Sequence, residues 1–464
     1  MTFEQIRCSK LARRLGGWRT GSLLLRALAL SLVLSGTVSG AQFSEIATSQ
    51  YPVPADMSGV HFYLITVDVG DSVWDNFGHT ALRVYDENSN SDLVYNWGVF
   101  DVNDSIAVFA FNFLRGVLNY RLAISSPAIE FDLYRSQQRT VWQDRINLTN
   151  PQKEILYRRL AWNAEANNRG YAYHYHYDNC TTRVRDYLNE AMDGMVETSF
   201  SGKTSETFRD KIRSHYASTP LIGFSLDVLM NSNIDTLISE WESLYLPLTL
   251  RSTLSMLESD VAEDGGRLPL LSDSQVIVEF PAPTVATDPF HIASVGLLAP
   301  VLLLFLMLKR TPVNSFASRS RIGIKQESFS FRLLGLLGLA TSLFSGVYGI
   351  LMLVSWFISG HVDTHHNVNL LLFWPTDLLG IVVALQWLFL CKPWPMTHNS
   401  TPFIHYYFLA HVLAMMVYAF IVLLELVTQE LGMILTYVVP GFFLFTILIW
   451  IAGFQPARPR DMVF

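Results

Sequence analysis

Cysteine is scarce in this chain. Three occur in 464 residues: Cys8, Cys180 and Cys391, in three different regions. That is too few for a disulfide scaffold. Charge is scarce too: Asp, Glu, Lys and Arg make up 16% of the chain, against about 25% in an ordinary soluble domain. Half of the residues are hydrophobic and mean hydropathy is +0.27, which excludes a disordered protein and argues against a purely soluble enzyme. There is no excess of positive charge. The net charge is −7 and the pI near 5.9, so no nucleic-acid partner is expected. Internal repeats and low-complexity tracts are absent as well. The length is too great for one small domain and suggests two.

What is present first is a leader. Arg7, Lys10, Arg13, Arg14, Arg19 and Arg26 face one acid, Glu4, and an apolar run from Ala27 to Leu34 follows. Val38-Ser39-Gly40-Ala41 then offers small residues for cleavage, so 1–41 reads as a secretory signal peptide. An uncleaved N-terminal anchor is the alternative. No cysteine follows the apolar run, so the chain is not expected to be a lipoprotein itself.

After residue 290 apolar runs recur at about 292–308, 333–358, 370–391, 404–426 and 433–453. Each approaches the ~20 residues that cross a bilayer as a helix. The loop 309–332 carries Lys309, Arg310, Arg319, Arg321, Lys325 and Arg332 against Glu327, which places it in the cytoplasm. Lys392, Arg458 and Arg460 then also fall inside, while the loops 359–369 and 427–432, without Lys or Arg, fall outside. The expectation is a five-helix transmembrane domain over 291–464, a linker over 261–290 rich in Pro, Gly and Asp, and an extracytoplasmic domain over 42–260.

That domain mixes strand and helix. Val60 to Val69 is rich in β-branched and aromatic residues and reads as a strand. Gly78 to Tyr85 and Leu93 to Phe100 read as two more, joined by a turn at Asp86-Glu87-Asn88-Ser89-Asn90-Ser91-Asp92. Residues 152–168 and 180–192 read as helices.

Once the signal is gone, Cys180 is the one cysteine left in this compartment. It follows Asp178-Asn179, good N-cap residues, and opens a helix in which Cys180, Val184 and Leu188 share a face. A cysteine in a first turn feels the positive end of the helix dipole, which lowers its pKa. First-turn N–H groups could also hold an oxyanion. A small buried residue packing that face is the alternative. A nucleophilic thiol needs a base. His79 is one candidate; His174 and His176 are others. With the turn centred near Asn88 and Ser89, His79 sits opposite Gly98, and Asn96 is its diagonal neighbour on the same face, placed to orient the imidazole. His174, His176, Asp178 and Cys180 also alternate as zinc ligands on a strand would. The Asp178-Asn179 cap breaks that alternation, so no metal is expected, and no cofactor. The run Tyr171, Tyr173, Tyr175 and Tyr177 reads as packing or an interfacial surface.

Phe77-Gly78-His79, Tyr95-Asn96-Trp97-Gly98-Val99-Phe100-Asp101 and the stretch from Tyr173 through Asn179-Cys180-Thr181-Thr182 to Arg183 resemble the N-terminal periplasmic domain of the Lnb-type lipoprotein N-acyltransferases. The resemblance covers roughly 60–250 and takes in Phe113, Gly116, Tyr120, Phe224 to Asp227 and Tyr245-Leu246-Pro247. It implies an α+β, permuted papain-like extracytoplasmic domain followed by an all-α membrane domain. Circularly permuted papain-like folds, including lecithin–retinol acyltransferase, place the catalytic His before the Cys. Cys180 would be the nucleophile, His79 the base and Asn96 the orienting residue.

The implied reaction moves an acyl chain from a phospholipid, through a Cys180 thioester, to the α-amino group of a bacterial lipoprotein. The implied location is the inner membrane, multi-pass, with the N-terminal domain in the periplasm. The loop from His361 to Asn369 resembles the His/Asn-rich loop of the family's longer members, which makes His365, His366, Asn367, Asn369 and the nearby Asp377 candidates for the lipid side. A papain-like hydrolase (cell-wall peptidase, amidase or phospholipase) and a non-catalytic lipoprotein-binding scaffold are the competing readings. His405 and His411 sit deeper and have no role in this scheme.

Overall fold

The computed structural model describes residues 53–70, 75–99, 112, 115–116, 119–216, 219–259, 266–282, 289–310, 328–390 and 402–453. The signal peptide, Cys8, Phe113, the basic loop 311–327, Cys391 and the tail arginines lie outside them. Two compact units divide the described chain: one reaches from residue 53 to Gly223 and resumes over 236–287, the other joins Phe224–Asp235 to 288 onward.

The first unit is built on a seven-stranded antiparallel sheet. Its strands are β1 (Val60–Val67), β2 (His79–Asp86), β3 (Ser91–Val99), β4 (Asn119–Ser125), β5 (Val141–Ile146), β6 (Gly170–Ala172) and β7 (Leu271–Val278). Their order across the sheet is β7-β5-β1-β2-β3-β4-β6. The β2–β3 hairpin has the register its turn predicts, with Asp86 opposite Ser91 and Ala81 opposite Asn96. The linker assignment needs correction. Leu271–Val278 pairs with β5 as the edge strand of the sheet. Its low apolarity hid it: an edge strand with one open face buries little, and Asp273 to Gln275 are exposed.

Three helices bear on the site: α1 (Pro127–Ser136), α2 (Asn150–Ala164) and α3 (Cys180–Ala191). Helix α3 starts where expected because Asn179 caps it. Asn179 Oδ1 accepts from the Thr181 and Thr182 N–H groups, and Thr182 Oγ1 returns the bond to the Asn179 N–H. Val184, Tyr187 and Leu188 of α3 are buried in the core with Leu82, Trp97 and Leu122 from the sheet. Each fully buried aliphatic side chain there contributes ~1.5–3 kcal/mol. Between α2 and α3, Asn163 Oδ1 accepts from both Trp97 Nε1 and Tyr187 Oη at 2.8 Å. That contact fixes the rotation of α3, and so the direction of its first residue.

The second unit is helical: α4 (Pro289–Arg310), α5 (Ser328–Ile358), α6 (Gly380–Leu390), α7 (Pro402–Leu423) and α8 (Val439–Gly453). Five straight spans were expected. Among the described residues two helices, Arg332–Ile358 and Tyr406–Leu423, are long and apolar enough to cross a membrane. The count rises to three if Val362–Leu371 and Pro375–Phe389, bent by 61° at their junction, form one span. Pro375 causes that break, since it has no N–H and cannot continue a preceding helix. Helix α5 runs against the bend because Gly349 permits it: a Cβ there would lie 2.5 Å from the Phe373 carbonyl oxygen. In the last run, the π-helical turn Ile434–Val438 precedes α8.

The segment Phe224–Asp235, expected within the extracytoplasmic domain, groups with this helical unit. Phe224 and Val228 are buried among Met352, Phe373 and Tyr418.

Candidate active site

The site forms where β2, β3 and the start of α3 converge. His79 opens β2 after Gly78, and Cys180 opens α3. Gly98 lies between them: a Cβ at this position would stand 3.9 Å from both Cys180 Cβ and His79 Cε1. Gly98 has φ +91°, a left-handed conformation that glycine adopts without strain. The backbone conformation is what calls for glycine here, since a Cβ would stand at ordinary contact distance from both side chains.

Asn96 Oδ1 lies 2.7 Å from His79 Nε2. The amide orientation follows from its other end. Asn96 Nδ2 donates to Glu130 Oε2 at 2.9 Å and to Tyr134 Oη at 3.2 Å. A carboxylate only accepts, so Oδ1 must face the imidazole and Nε2 must carry the proton. Nδ1 is then the lone-pair nitrogen of the neutral ring, available to the thiol. Glu130 is itself fully buried, and its Oε1 accepts from Ser125 Oγ at 2.6 Å. The line Cys180–His79–Asn96–Glu130–Ser125 is thus continuous.

The electrostatics favour a thiolate. Burial pushes the Cys180 thiol up. The charge and hydrogen bond of His79, aided by the Thr80 N–H and the Thr181 hydroxyl, overcome this and bring it down to about 7. His79 is lowered by burial, and lowered further by the charge of Arg139. The Cys180 thiolate and the Asn96 hydrogen bond outweigh both, so its net shift is upward. Each partner stabilises the charged form of the other, as in a thiolate–imidazolium pair. Arg139 is held by Asp75 at 2.9 Å and by the Asp68 carbonyl.

The oxyanion expectation narrows. Asn179 Oδ1 already holds the Thr181 and Thr182 N–H groups, and the Arg183 N–H bonds the Asn179 carbonyl. The Cys180 N–H is the first-turn donor left for a substrate oxygen.

The other two candidate bases stand elsewhere. His176 is buried and stacked on Phe208 at 4.0 Å, and burial holds its imidazole well below the usual value. His174 pairs through its backbone with Asp178 in a tight turn. The chain reverses between them, so the alternation of His174, His176 and Asp178 is lost, and Asp178 pairs with Arg183 at 2.7 Å. Among the described residues no three His, Cys, Asp or Glu side chains gather as metal ligands do. Tyr171 and Tyr173 form an aromatic wall with Tyr120, whose ring stacks on Tyr173 at 4.3 Å. Burial, then the nearby thiolate, push the Tyr120 phenol up to about 12.

Residues 47–214 match the family described as the Lnb N-terminal periplasmic domain. The chain carries an Lnb-type periplasmic domain. Cys180, His79, Asn96, Glu130 and Ser125 all lie within the Lnb match. Taken with the candidate membrane-crossing helices, it makes this a membrane protein with a periplasmic domain. No curated protein and no solved structure matches the chain.

The candidates of the second unit separate into two groups. His365 Nε2 bonds the Ser359 carbonyl at 2.8 Å, and His366 packs edge-on against Trp356. Asn367 and Asn369 are buried, and each donates from Nδ2 to the Val228 carbonyl at 2.9 Å. Asn231 Nδ2 in turn donates to the Val362 and His365 carbonyls. The loop is thus a latch for the segment Phe224–Asp235. Asp377 is different and lines a cavity.

Sequence reasoning missed Glu130, Tyr134 and Ser125. The one local signal was an acid in the first turn of a helix opened by Ser126-Pro127, which does not reveal that the carboxyl reaches Asn96.

Proposed function

We propose that this protein is a membrane-bound thiol acyltransferase, with a permuted papain-like catalytic domain on the periplasmic side of the inner membrane and up to five membrane-crossing segments. The observation that carries the reading is the alignment of Cys180, His79 and Asn96, with the thiol brought down to about 7. The Lnb match supports the choice of acyl transfer among the chemistries such a site can perform.

In the first half-reaction, Cys180 Sγ attacks the ester carbonyl of a phospholipid. The C–S bond forms, the C–O bond breaks, and His79 protonates the departing lysophospholipid oxygen. In the second, the α-amino group of a lipoprotein's diacylglyceryl-cysteine attacks the thioester. The C–N bond forms, the C–S bond breaks, and the amine proton passes through His79. Asn96 holds the ring in position for both steps. Cys180 N–H supports the developing oxyanion. No cofactor takes part.

The test is an intact-mass measurement of full-length protein in detergent after incubation with phospholipid. A hydroxylamine-labile acyl adduct on wild type, absent from Cys180→Ser, is the expected result. Free fatty acid that accumulates without N-acylated peptide, when an acceptor peptide is supplied, would point to the hydrolase reading instead. Absence of any adduct on folded protein would remove thioester chemistry from the account.

A further inference from the structure

The residues that follow His79 and Cys180 in the chain also meet. Thr80 comes second in β2, and Thr181 second in α3. Their hydroxyl oxygens lie 3.1 Å apart, and Thr181 Oγ1 lies 3.7 Å from Cys180 Sγ, within hydrogen-bond reach of the larger sulfur atom. Both threonines are 0% exposed, so neither hydroxyl faces solvent.

A proton count decides how these two contacts run. Each hydroxyl brings one proton, and a buried donor without an acceptor is costly. Among the described residues the Thr80 hydroxyl has one partner, the Thr181 oxygen. Thr66, opposite Thr80 on β1, makes no hydrogen bond through its own hydroxyl and so offers no second acceptor. If Thr181 donated to Thr80, the Thr80 proton would have nowhere to go. If Thr80 donates to Thr181, the Thr181 proton reaches Sγ and both protons are used. A thiolate also accepts better than a neutral oxygen, because a hydrogen bond to a charged group is roughly twice as strong.

We propose that Thr80 and Thr181 form a hydroxyl relay that ends on Cys180 Sγ and holds the sulfur as a thiolate. Thr181 touches the reacting atom and is a catalytic residue. The Thr80 side chain acts through it and is a positioning residue. The Thr181 hydroxyl is among the groups that bring the thiol down, and this part is separate from the helix cap, which Thr181 joins through its N–H. Acylation removes the negative charge, and a neutral sulfur is a weak acceptor. The relay therefore favours sulfur leaving as a thiolate when the thioester is attacked. The inference rests on the proposed Cys180 chemistry, but its test needs no acyl donor, so failure of acyl transfer would leave the result standing.

The test is the pH dependence of Cys180 alkylation by iodoacetamide in full-length protein in detergent. Cys8 and Cys391 can react as well, so the peptide that carries Cys180 is followed by mass spectrometry. Thr181→Val keeps the shape of the side chain and removes the hydroxyl. Its midpoint should rise above the wild-type value, with thiol acidity reduced roughly threefold to tenfold, the size of one hydrogen bond. Thr181→Ser keeps the hydroxyl and should titrate as wild type does. Thr80→Val should leave the midpoint at or above the wild-type value, because Thr181 still has the sulfur to donate to. An unchanged midpoint in Thr181→Val would overturn the relay. So would a fall in Thr80→Val, which would mean that Thr181 had been donating to Thr80 and turned to the sulfur only when that acceptor was lost. If Thr181→Val fails to fold, Thr181→Ala set against Thr181→Ser makes the same comparison.

Discussion

His79 Nε2 and Asn96 Oδ1 stand 2.7 Å apart, on adjacent strands of one hairpin. The contact fixes the imidazole tautomer, because Glu130 and Tyr134 fix the amide. Replacing Asn96 by Ala frees the ring to turn. The proposed acyl transfer should fall on the order of 10²-fold, as expected when a reacting group is misplaced by about 1 Å. Glu130 also loses a donor in the interior, which should lower stability by about 1–3 kcal/mol. Single-turnover kinetics and thermal unfolding measure the two effects. Unchanged kinetics would show that Asn96 only packs the core.

The thiol, brought down to about 7 from its ordinary 9.0, makes Cys180 reactivity a pH titration. Alkylation by iodoacetamide should rise as pH passes through about 7 and level off above it, as the thiolate population saturates. In His79→Ala the ring that opposes burial is gone. Burial, which raises the thiol, is then opposed only by the Thr80 N–H and the Thr181 hydroxyl, so the midpoint should move well above 7. A midpoint that stays near 7 in the variant would show that His79 does not activate Cys180.

Gly98 should not tolerate a side chain. A left-handed φ of +91° costs a non-glycine residue about 1–2 kcal/mol, and relaxing that strain would shift the strand that carries Asn96. Gly98→Ala is expected to lower the unfolding temperature and to reduce activity together. Wild-type behaviour in both measurements would contradict the role given to this backbone position.

The latch makes an opposite prediction for the helical unit. Asn231→Ala removes the donor to the Val362 and His365 carbonyls, and each hydrogen bond lost costs about 0.5–1.5 kcal/mol. Proteolysis within Phe224–Asp235 should speed up. His365→Ala should leave the kcat of folded protein unchanged, because the ring bonds a backbone carbonyl rather than facing a ligand. A fall in kcat at unchanged thermal stability would return His365 to the substrate.

Local chemistry made part of this molecule readable. The four-residue turn Glu87–Asn90 sets the β2–β3 register, and the register alone brings Asn96 to His79. The Asn179 cap sets the start of α3 and puts Cys180 in its first turn. The apolar runs follow from composition over windows of about 20 residues. These features depend on neighbours along the chain, so the sequence by itself determined them.

Tertiary structure decided the rest. Glu130 and Ser125 reach Asn96 only after β4 and α1 pack beside β3. Leu271–Val278 becomes a strand only because β5 offers it an open edge. Phe224–Asp235 joins the helical unit because Asn231, Asn367 and Asn369 bond across more than a hundred residues of chain. The cavity at Asp377 and Trp387 lies where α5, α6, α7 and α8 meet. Each of these rests on a surface contributed by a distant part of the chain. No local pattern of side chains records which surface that will be.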